Sequence, residues 1–221
     1  HHGGAAKDAL NKASTDLVKK GFENLEKHIE NIRKFNIEPV IAINSFVNDT
    51  KEEVQIVIDR CRALGVQAVI SEGWAKGGEG TTDLAKAVVK VVENAGSKFK
   101  TLYDWNAPVK EKIETIAKEI YGATKVNYDK KAVLNLRRID RLGFNDFAVC
   151  MAKTQKSFSD NESLIGRPEG FEVTVREIEI AAGAKFIIPI LGVMMRMPGL
   201  PSHPASENMN IDEHGVISGL S

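Results

Sequence analysis

A pair of short apolar runs, each followed by a polar loop and an amphipathic helix, is the strongest constraint on the fold of this chain. The runs are 39–44 (PVIAIN) and 67–70 (QAVI). Continuous apolar runs of this length are typical of strands that a parallel sheet buries on both faces. Helical spacing of apolar residues precedes, separates and follows the runs, over 8–35, 51–64 and 82–92. The alternation predicts parallel βαβ units in part of an open parallel α/β sheet with helices.

The second half of the chain has a different pattern, which predicts a smaller mixed α/β unit. Residues 171–179 alternate between apolar and polar side chains, the period of a half-exposed strand. Pro189 interrupts the apolar run 186–191, so we expect an edge strand or a bulge there. The other predicted elements are helices over 108–121 and 130–142 and extended segments over 99–103, 126–128 and 147–152.

We expect two domains, with a boundary near residues 96–104 where the helical pattern breaks. Residues 1–100 are then the carboxyl-terminal portion of a large α/β domain, and residues 101–221 a small carboxyl-terminal α/β domain. A parallel layer that begins in mid-fold lacks neighbouring strands, so some of its apolar surface should be uncovered.

Composition excludes several classes of function. The 221 residues carry 30 basic and 30 acidic side chains, so the chain lacks the basic excess typical of nucleic-acid and membrane-surface proteins. No apolar run approaches the roughly 20 residues that cross a bilayer, and no signal peptide opens the chain. Two cysteines without a disulfide framework favour a reducing cytoplasm. The first residues, His1 and His2, are either the end of an expression tag or native.

Ligands of open α/β sheets bind in the loops beyond the carboxyl ends of the strands. Here those loops are predicted over 44–50 and 71–82, and they contain Phe46 and Trp74. Two aromatic rings that face each other across a gap form a slot for a flat heterocycle. The alternative is that both rings fold back as lids over the sheet.

The second loop is rich in glycine, and Gly77 and Gly78 precede a predicted helix. Amides at a helix N-terminus bind anions, which makes these glycines candidates for a substrate or nucleotide loop; the alternative is a flexible connection into a capped helix. The loop is not a Walker A sequence, because no glycine is followed by Lys and Ser/Thr. Asn44 and Ser71, which end the two strands, loosely resemble the base-reading strand ends of P-loop nucleotidases, although such an Asn is more often a turn former.

Neither a metal centre nor a catalytic set is predicted. The histidines are scattered without ligand spacing, with His28 on a charged helix face and His203 and His214 in the polar tail. No serine has the elbow context that a Ser-His-Asp set needs. We therefore assign no catalytic residue and no metal ligand.

Several longer motifs resemble those of one family, the formate–tetrahydrofolate ligases (10-formyltetrahydrofolate synthetases). They occur in the family's order, and the resemblance runs from His2 to the last residue. The tryptophan loop is more similar to the monofunctional prokaryotic enzyme than to the eukaryotic multifunctional protein. The motifs are NSF (44–46), NDT (48–50), SEGWAKGGEG (71–80), MAKTQ (151–155), SFSD (157–160), MPGLP (197–201) and GL (219–220).

The resemblance implies an ATP-dependent ligase. Such enzymes join formate to tetrahydrofolate through formyl phosphate and release 10-formyltetrahydrofolate, ADP and phosphate. They use Mg²⁺ with ATP, are activated by a monovalent cation (NH₄⁺ or K⁺) and usually form cytoplasmic homotetramers. By the same resemblance, Phe46 and Trp74 match the two aromatics that sandwich the folate ring system, and residues 1–100 match the end of a P-loop NTPase-like large domain.

The chain departs from the family at the phosphate-binding loop. In the family, a Gly-Lys-Ser/Thr loop and an arginine that steadies formyl phosphate precede the segment that matches 2–4, so His2 is expected to be native. The chain thus resembles the carboxyl-terminal part of the enzyme, and we expect it not to catalyse ligation alone. Two other hypotheses are a structural or oligomerisation module of the same enzyme without its own ligand, and an independent nucleotide-binding α/β protein. The absence of a phosphate loop from the sequence disfavours the last.

Overall fold

The computed structural model describes residues 1–10, 12–46, 48–94, 99–192 and 202–219. Within those ranges the chain is α/β, with helices and three sheets, two of which contain parallel pairs. None of the helices in this part of the chain is long and apolar enough to cross a membrane. The turn predicted at 197–201 and the terminal Leu220 lie outside the described residues.

The first half of the chain is the predicted parallel βαβ unit. Its elements are α1 (Thr15–Arg33), β1 (Val40–Asn44), α2 (Lys51–Ala63), β2 (Gln67–Ser71), α3 (Gly73–Lys76) and α4 (Thr82–Asn94). The two strands pair in parallel from Val40 opposite Gln67 to Asn44 opposite Ser71. Helix α1 packs on α2, and α4 packs on both strands. This arrangement places the carboxyl ends of both strands at one edge.

Side-chain caps set the starts of two of these helices. The Ser14 hydroxyl accepts an amide hydrogen from the first turn of α1, so the helix begins at Thr15 and the predicted start at residue 8 is wrong. At the start of α2, Thr50 and Glu53 form a reciprocal capping box.

The strands of the first sheet are half-exposed, and the prediction that both faces are buried is wrong. Ile70 of β2 is 41% exposed, and Val92 of α4 is 69% exposed. Among the described residues this sheet has only two strands. Strands of a wider parallel sheet are buried by neighbouring strands and by helices on both faces, and these two strands lack most of those neighbours. The uncovered apolar surface expected for this layer is confirmed.

The second half is built around a mixed sheet of four strands. Its elements are α5 (Val109–Thr115), a π-helix (Ile116–Tyr121), β3 (Lys125–Tyr128), α6 (Lys130–Leu142), β4 (Ala148–Val149), β5 (Glu172–Ala181) and β6 (Phe186–Leu191). The strand order is β3-β5-β6-β4, with β5 and β6 antiparallel and the outer pairs parallel. The main core lies between this sheet and the helices α5 and α6, where Ile113, Ile139 and Val173 are fully buried. A small antiparallel hairpin of β7 (Asn210–Ile211) and β8 (Ile217–Ser218) follows.

Pro189 lies on an interior strand, so the predicted edge position is wrong. The alternative, a bulge, is found nearby in the partner strand, where the register shifts between Val175, opposite Leu191, and Glu177, opposite Ile190. The Pro189 carbonyl accepts the Ala152 N–H at 2.8 Å, which means that its nitrogen also points toward β4. Because proline has no N–H to donate, the β4–β6 ladder is interrupted: β4 ends at Val149 and pairing resumes as an isolated bridge at Ala152. The proline therefore shortens the strand predicted over 147–152 and leaves the β5–β6 pairing in place.

The segment 99–103, predicted as extended, is not a strand. The Lys100 N–H donates to the Phe35 carbonyl at 3.1 Å, just beyond α1. The rings of Phe35 and Phe99 are parallel, with centroids 6.2 Å apart. These two contacts attach the segment to the end of α1 instead of to a sheet.

Buried polar side chains of α1 join the two halves. Lys27 and Asn31 are 8% and 6% exposed. Lys27 Nζ donates to the Glu119 carbonyl at 3.1 Å, and Asn31 Nδ2 donates to the Ile120 carbonyl at 2.8 Å. Both acceptors belong to the π-helix, so hydrogen bonds cross the predicted boundary region. The division into two domains stays a prediction.

A fully buried lysine holds the beginning of the second half together. Lys112 Nζ donates to the carbonyls of Trp105 and Asn145 at 2.6 Å and of Phe147 at 3.0 Å. The amine also lies 5.5 Å from the ring centroid of Tyr103. Burial lowers the pKa of Lys112, and the three bonds use all three ammonium hydrogens to offset the lost hydration.

We expect Lys112→Met to lower the free energy of unfolding by about 3 kcal/mol, because three carbonyls lose a buried donor. Urea unfolding followed by circular dichroism at neutral pH measures the change. Lys110→Met is the matched control, since the Lys110 side chain on the same helix is 60% exposed. Equal effects of the two substitutions would contradict the role given to Lys112.

Candidate functional site

The parallel register brings the ends of β1 and β2 together. Asn44 lies opposite Ser71, and one residue further the Ser45 N–H donates to the Ser71 carbonyl at 3.1 Å. The loops 45–50 and 72–81 therefore leave the same edge of the sheet side by side. This is the placement that the βαβ pattern predicts for ligand-binding loops.

Phe46 and Trp74 are presented to solvent on these loops. The Phe46 N–H donates to the Asp49 carboxylate at 2.8 Å, and the Asp49 N–H donates back to the Phe46 carbonyl at 3.1 Å, which closes a tight turn. Phe46 is 51% exposed, and Trp74 on α3 is 68% exposed. Exposure of this size disfavours the interpretation that the rings are lids packed over the sheet.

The glycine-rich loop is ordered by its own hydrogen bonds. The Glu72 N–H donates to the Gly80 carbonyl at 3.0 Å, so the two ends of the loop meet. A Cβ on Gly80 would lie 2.5 Å from the backbone carbonyl oxygen of Glu72, so this close approach of the two chain segments requires glycine. Gly77 ends α3 with φ of +59° and ψ of −140°, a conformation that L side chains rarely adopt. Lys76 pairs with Glu72 at 2.7 Å within the loop.

The amides of Thr81, which precedes α4, and of Thr82, its first residue, already have acceptors. The Thr81 N–H donates to the Gly78 carbonyl at 3.2 Å, and the Thr82 N–H donates to the Glu79 carbonyl. An anion at this helix end would compete with these bonds. The geometry thus favours a connecting role for these two amides, and ligand binding by Gly77 and Gly78 stays a prediction.

A cleft of about 1010 Å³ lies beside the two loops. Neither Phe46 nor Trp74 lines it, but Ser45 and Glu72, one and two residues away from them in the chain, do. Phe46 lines a neighbouring cleft of about 470 Å³, and Asp49 lines both. Phe46 therefore lies next to open space that a substrate can occupy, and Trp74 lies on the loop that borders the larger cleft.

The larger cleft is acidic. Its charged lining residues are Asp49, Glu72, Glu79, Asp83, Lys51 and Lys76. Four carboxylates against two amines repel a triphosphate, so these residues do not fit ATP. Within the described ranges, no group of three or more His, Cys, Asp or Glu side chains is placed to hold a metal ion.

Glu53 on α2 holds the end of the Phe46 loop through hydrogen bonds with Thr50. The sequence motifs did not indicate Glu53 as part of the site. Its carboxylate accepts the Ser14 N–H at 2.7 Å, the Thr50 N–H at 3.2 Å and the Thr50 hydroxyl at 2.7 Å. These bonds lower the pKa of Glu53 below its usual 4.5, and the bond from Ser14 has the largest effect. The T-x-x-E spacing of a capping box indicates the Thr50 contact, whereas nothing local indicates Ser14.

Comparison with known families agrees with the motifs at this edge of the sheet. A family profile described as formate–tetrahydrofolate ligase matches residues 1–221. The chain belongs to the formate–tetrahydrofolate ligase family. The resemblance predicted from the sequence motifs is thereby confirmed, and with it an assignment to ligases that act on formate and tetrahydrofolate.

Two of the ligase-family motifs lie away from the strand-end loops. The motif MAKTQ (151–155) follows β4. The motif SFSD (157–160) comes next in the chain and contacts α1, where the ring centroids of Phe158 and His28 are 4.7 Å apart. Ser157 in this segment is 6% exposed. The structure thus places the motifs over 44–50 and 71–80 at the strand-end loops and those over 151–160 at the junction with α1.

We expect Glu53→Gln to reduce the acid sensitivity of this ligase-family chain. A carboxyl group whose pKa is lowered by folding stabilises the protein fully above its unfolded value, near 4.5, and loses that contribution as the pH falls through the folded value. The wild type should therefore lose stability more steeply in this window. Urea unfolding at a series of acidic pH values measures the slope, with exposed Glu52→Gln as the control; the same slope in all three proteins would refute the assignment.

Proposed function

We propose that this chain supplies the tetrahydrofolate-binding surface of a formate–tetrahydrofolate ligase. In this proposal Phe46 and Trp74 stack against the pterin ring. The positions that border the bound substrate are Asn44, Ser71, Gly77 and Gly78. The observation that carries the proposal is the pair of exposed aromatic side chains on adjacent loops of a member of this family.

A flat heterocycle suits these side chains on energetic grounds. Covering exposed aromatic carbon stabilises a complex by about 25 cal/mol per Å² of apolar area. A favourable arrangement of two rings adds about 0.5–1.5 kcal/mol to that amount. Phe46 and Trp74 are more than half exposed in this structure, so both have apolar area to lose on binding.

The acidic cleft supports the same substrate. A pterin presents a ring N–H and an amino group side by side, and a carboxylate can accept both as a bidentate pair. Glu72 lies two residues before Trp74, and Asp49 three residues after Phe46, and both line the cleft. Glu72 is paired with Lys76, and the excess of carboxylates over amines in the cleft lining as a whole favours this donor edge and opposes phosphate groups.

ATP-dependent ligation belongs to the proposal for the reaction as a whole. Its substrates are formate, tetrahydrofolate and ATP with Mg²⁺, its intermediate is formyl phosphate, its activator is NH₄⁺ or K⁺, and it takes place in a cytoplasmic homotetramer. The sequence contains no Gly-Lys-Ser/Thr, so in this proposal residues outside the 221 hold the ATP phosphates. Residues 1–100 then belong to a large P-loop NTPase-like domain, and residues 101–221 form the small one.

A second candidate is an assembly role without a ligand of its own. The observation that favours it is an apolar row on α4, where Val88, Val89 and Val92 are 44%, 52% and 69% exposed. Rows of this kind mark surfaces that other protein covers. Folate titration separates the two candidates.

Tetrahydrofolate is expected to quench the fluorescence of Trp74. The chain has a second tryptophan, Trp105, so the titration uses a Trp105→Phe background in which Trp74 is the one emitter. Saturable quenching gives the dissociation constant. By calorimetry, Trp74→Ala should weaken binding about tenfold or more, equivalent to about 1.4 kcal/mol, while Trp74→Phe should retain most of it.

Phe46→Ala should weaken binding to a similar extent as Trp74→Ala. Phe99→Ala is the control, because Phe99 is 59% exposed but lies at the end of α1 and not on either loop. Lack of saturable binding by the wild type would favour the assembly candidate over the folate proposal.

The purified 221-residue chain is expected to form no 10-formyltetrahydrofolate from formate, tetrahydrofolate and Mg-ATP. The physical reason is that transfer of the γ-phosphoryl group needs a phosphate-binding loop to hold and neutralise it, and the sequence has none. Product is measured by chromatography after long incubation. Turnover that disappears in Trp74→Ala would show that the chain is catalytically complete and would overturn this expectation.

A further inference from the structure

Asp49 holds the backbone of Phe46 on both sides of its Cα atom. The Asp49 carboxylate accepts the Phe46 N–H at 2.8 Å, and the Asp49 N–H donates to the Phe46 carbonyl at 3.1 Å. A residue has only two soft backbone dihedrals, φ and ψ. Bonds to both its N–H and its C=O restrict both dihedrals, so Asp49 fixes the direction of the Phe46 Cα–Cβ bond.

Phe46 depends on this support more than Trp74 does. Phe46 is 51% exposed and lies outside any helix or strand. Trp74 lies on α3, where backbone bonds such as that from the Lys76 N–H to the Glu72 carbonyl, at 2.9 Å, form a helical turn. The backbone of one aromatic residue is thus held by a helix, and that of the other is held by the side chain of Asp49.

The turn that Asp49 closes is anchored at both ends. Before Phe46, the Ser45 N–H donates to the carbonyl of Ser71 at the end of β2, at 3.1 Å. After Asp49, Thr50 caps the start of α2. The two ends of the turn are therefore fixed to the sheet and to a helix, and the bonds of Asp49 set the position of Phe46 relative to both.

We propose that Asp49 is a positioning residue for tetrahydrofolate, an inference that rests on the proposed function. Its carboxylate holds Phe46, before the substrate arrives, in the position from which the ring stacks on the pterin. Ordering a free loop at the moment of binding costs free energy, and the bonds of Asp49 remove part of that cost. A direct bond from Asp49 to the pterin is the competing role, since Asp49 lines both clefts.

Calorimetric titration of the 221-residue chain with tetrahydrofolate tests the assignment. Asp49→Ala should weaken binding about fivefold or more, equivalent to about 1 kcal/mol. Asp49→Asn keeps an oxygen that can accept the Phe46 N–H, so it should retain most of the affinity. A loss in Asp49→Asn as large as that in Asp49→Ala would refute the role given to the hydrogen bond.

Asp83→Ala is the matched control for charge. Asp83 lines the same cleft as Asp49, but its side chain is 81% exposed and pairs with Lys86 at 3.3 Å. This substitution removes a negative charge from the cleft without removing a bond to Phe46, so it should weaken binding less than Asp49→Ala does. Equal losses in the two variants would assign the effect to charge and contradict the positioning role.

A double-mutant cycle separates positioning from direct contact with the substrate. In a Phe46→Ala background there is no ring to position, so adding Asp49→Ala should have little further effect. In a Trp74→Ala background the Phe46 ring remains, and adding Asp49→Ala should again weaken binding about fivefold. A loss of that size in the Phe46→Ala background would mean that Asp49 contacts the pterin and would overturn the proposal.

Hydrogen exchange of the Phe46 amide, followed by NMR, gives a readout without substrate. The amide should lose protection in Asp49→Ala and keep most of it in Asp49→Asn. Asp49 is exposed, so its replacement removes no buried contact, and circular dichroism checks that the variants are folded. Lack of saturable tetrahydrofolate binding by the wild type would refute the proposed function and this role with it. Wild-type affinity in folded Asp49→Ala would refute the role of Asp49 alone.

Discussion

The hydrogen bonds from α1 to the π-helix are the interaction on which the rest of the structure depends. Lys27 and Asn31 lie on the helix face opposite its packing on α2, and they would carry a large desolvation cost if they were buried without acceptors. The π-helix provides those acceptors through the carbonyls of Glu119 and Ile120. Arg167 adds a bidentate pair with Glu30 of α1, at 2.8 Å for each contact. The two halves are thus joined by directional bonds, which fix their orientation more sharply than apolar contact does.

The same junction determines where the polar motifs of the second half can act. The SFSD segment reaches α1 through Phe158 and His28, and MAKTQ brings Lys153 to a small cavity that the same two residues line. The strand-end loops, in contrast, depend on the β1–β2 register and on the bonds of Glu53 to Ser14 and Thr50. The chain therefore has two polar regions with separate supports, and one can be altered without the other.

Periodicity and turn chemistry predict most of the helices and strands, because these depend on neighbouring residues. The helices predicted over 51–64 and 130–142 are of this kind. The errors occur where a distant group decides the outcome. Pro189 is interior because the short strand β4 pairs with β6 on the side where the proline has no N–H, and the segment 99–103 binds to the end of α1 and not to a sheet. The first two strands are half-exposed because they have few strands beside them, and the number of neighbouring strands cannot be predicted from a local sequence pattern.

The sequence by itself determined the α/β class, the family and the position of Phe46 and Trp74 in loops after neighbouring strands, since motifs and apolar spacing are local properties. Tertiary structure alone decided that both rings are exposed and that the larger cleft beside their loops is acidic. It also decided that the side-chain oxygen of Asn31 is buried without a donor among the described residues. Burial and pairing of this kind depend on residues far apart in the chain, such as Asn31 and Ile120, which are 89 positions apart, and their cost appears only when folding removes the water between them.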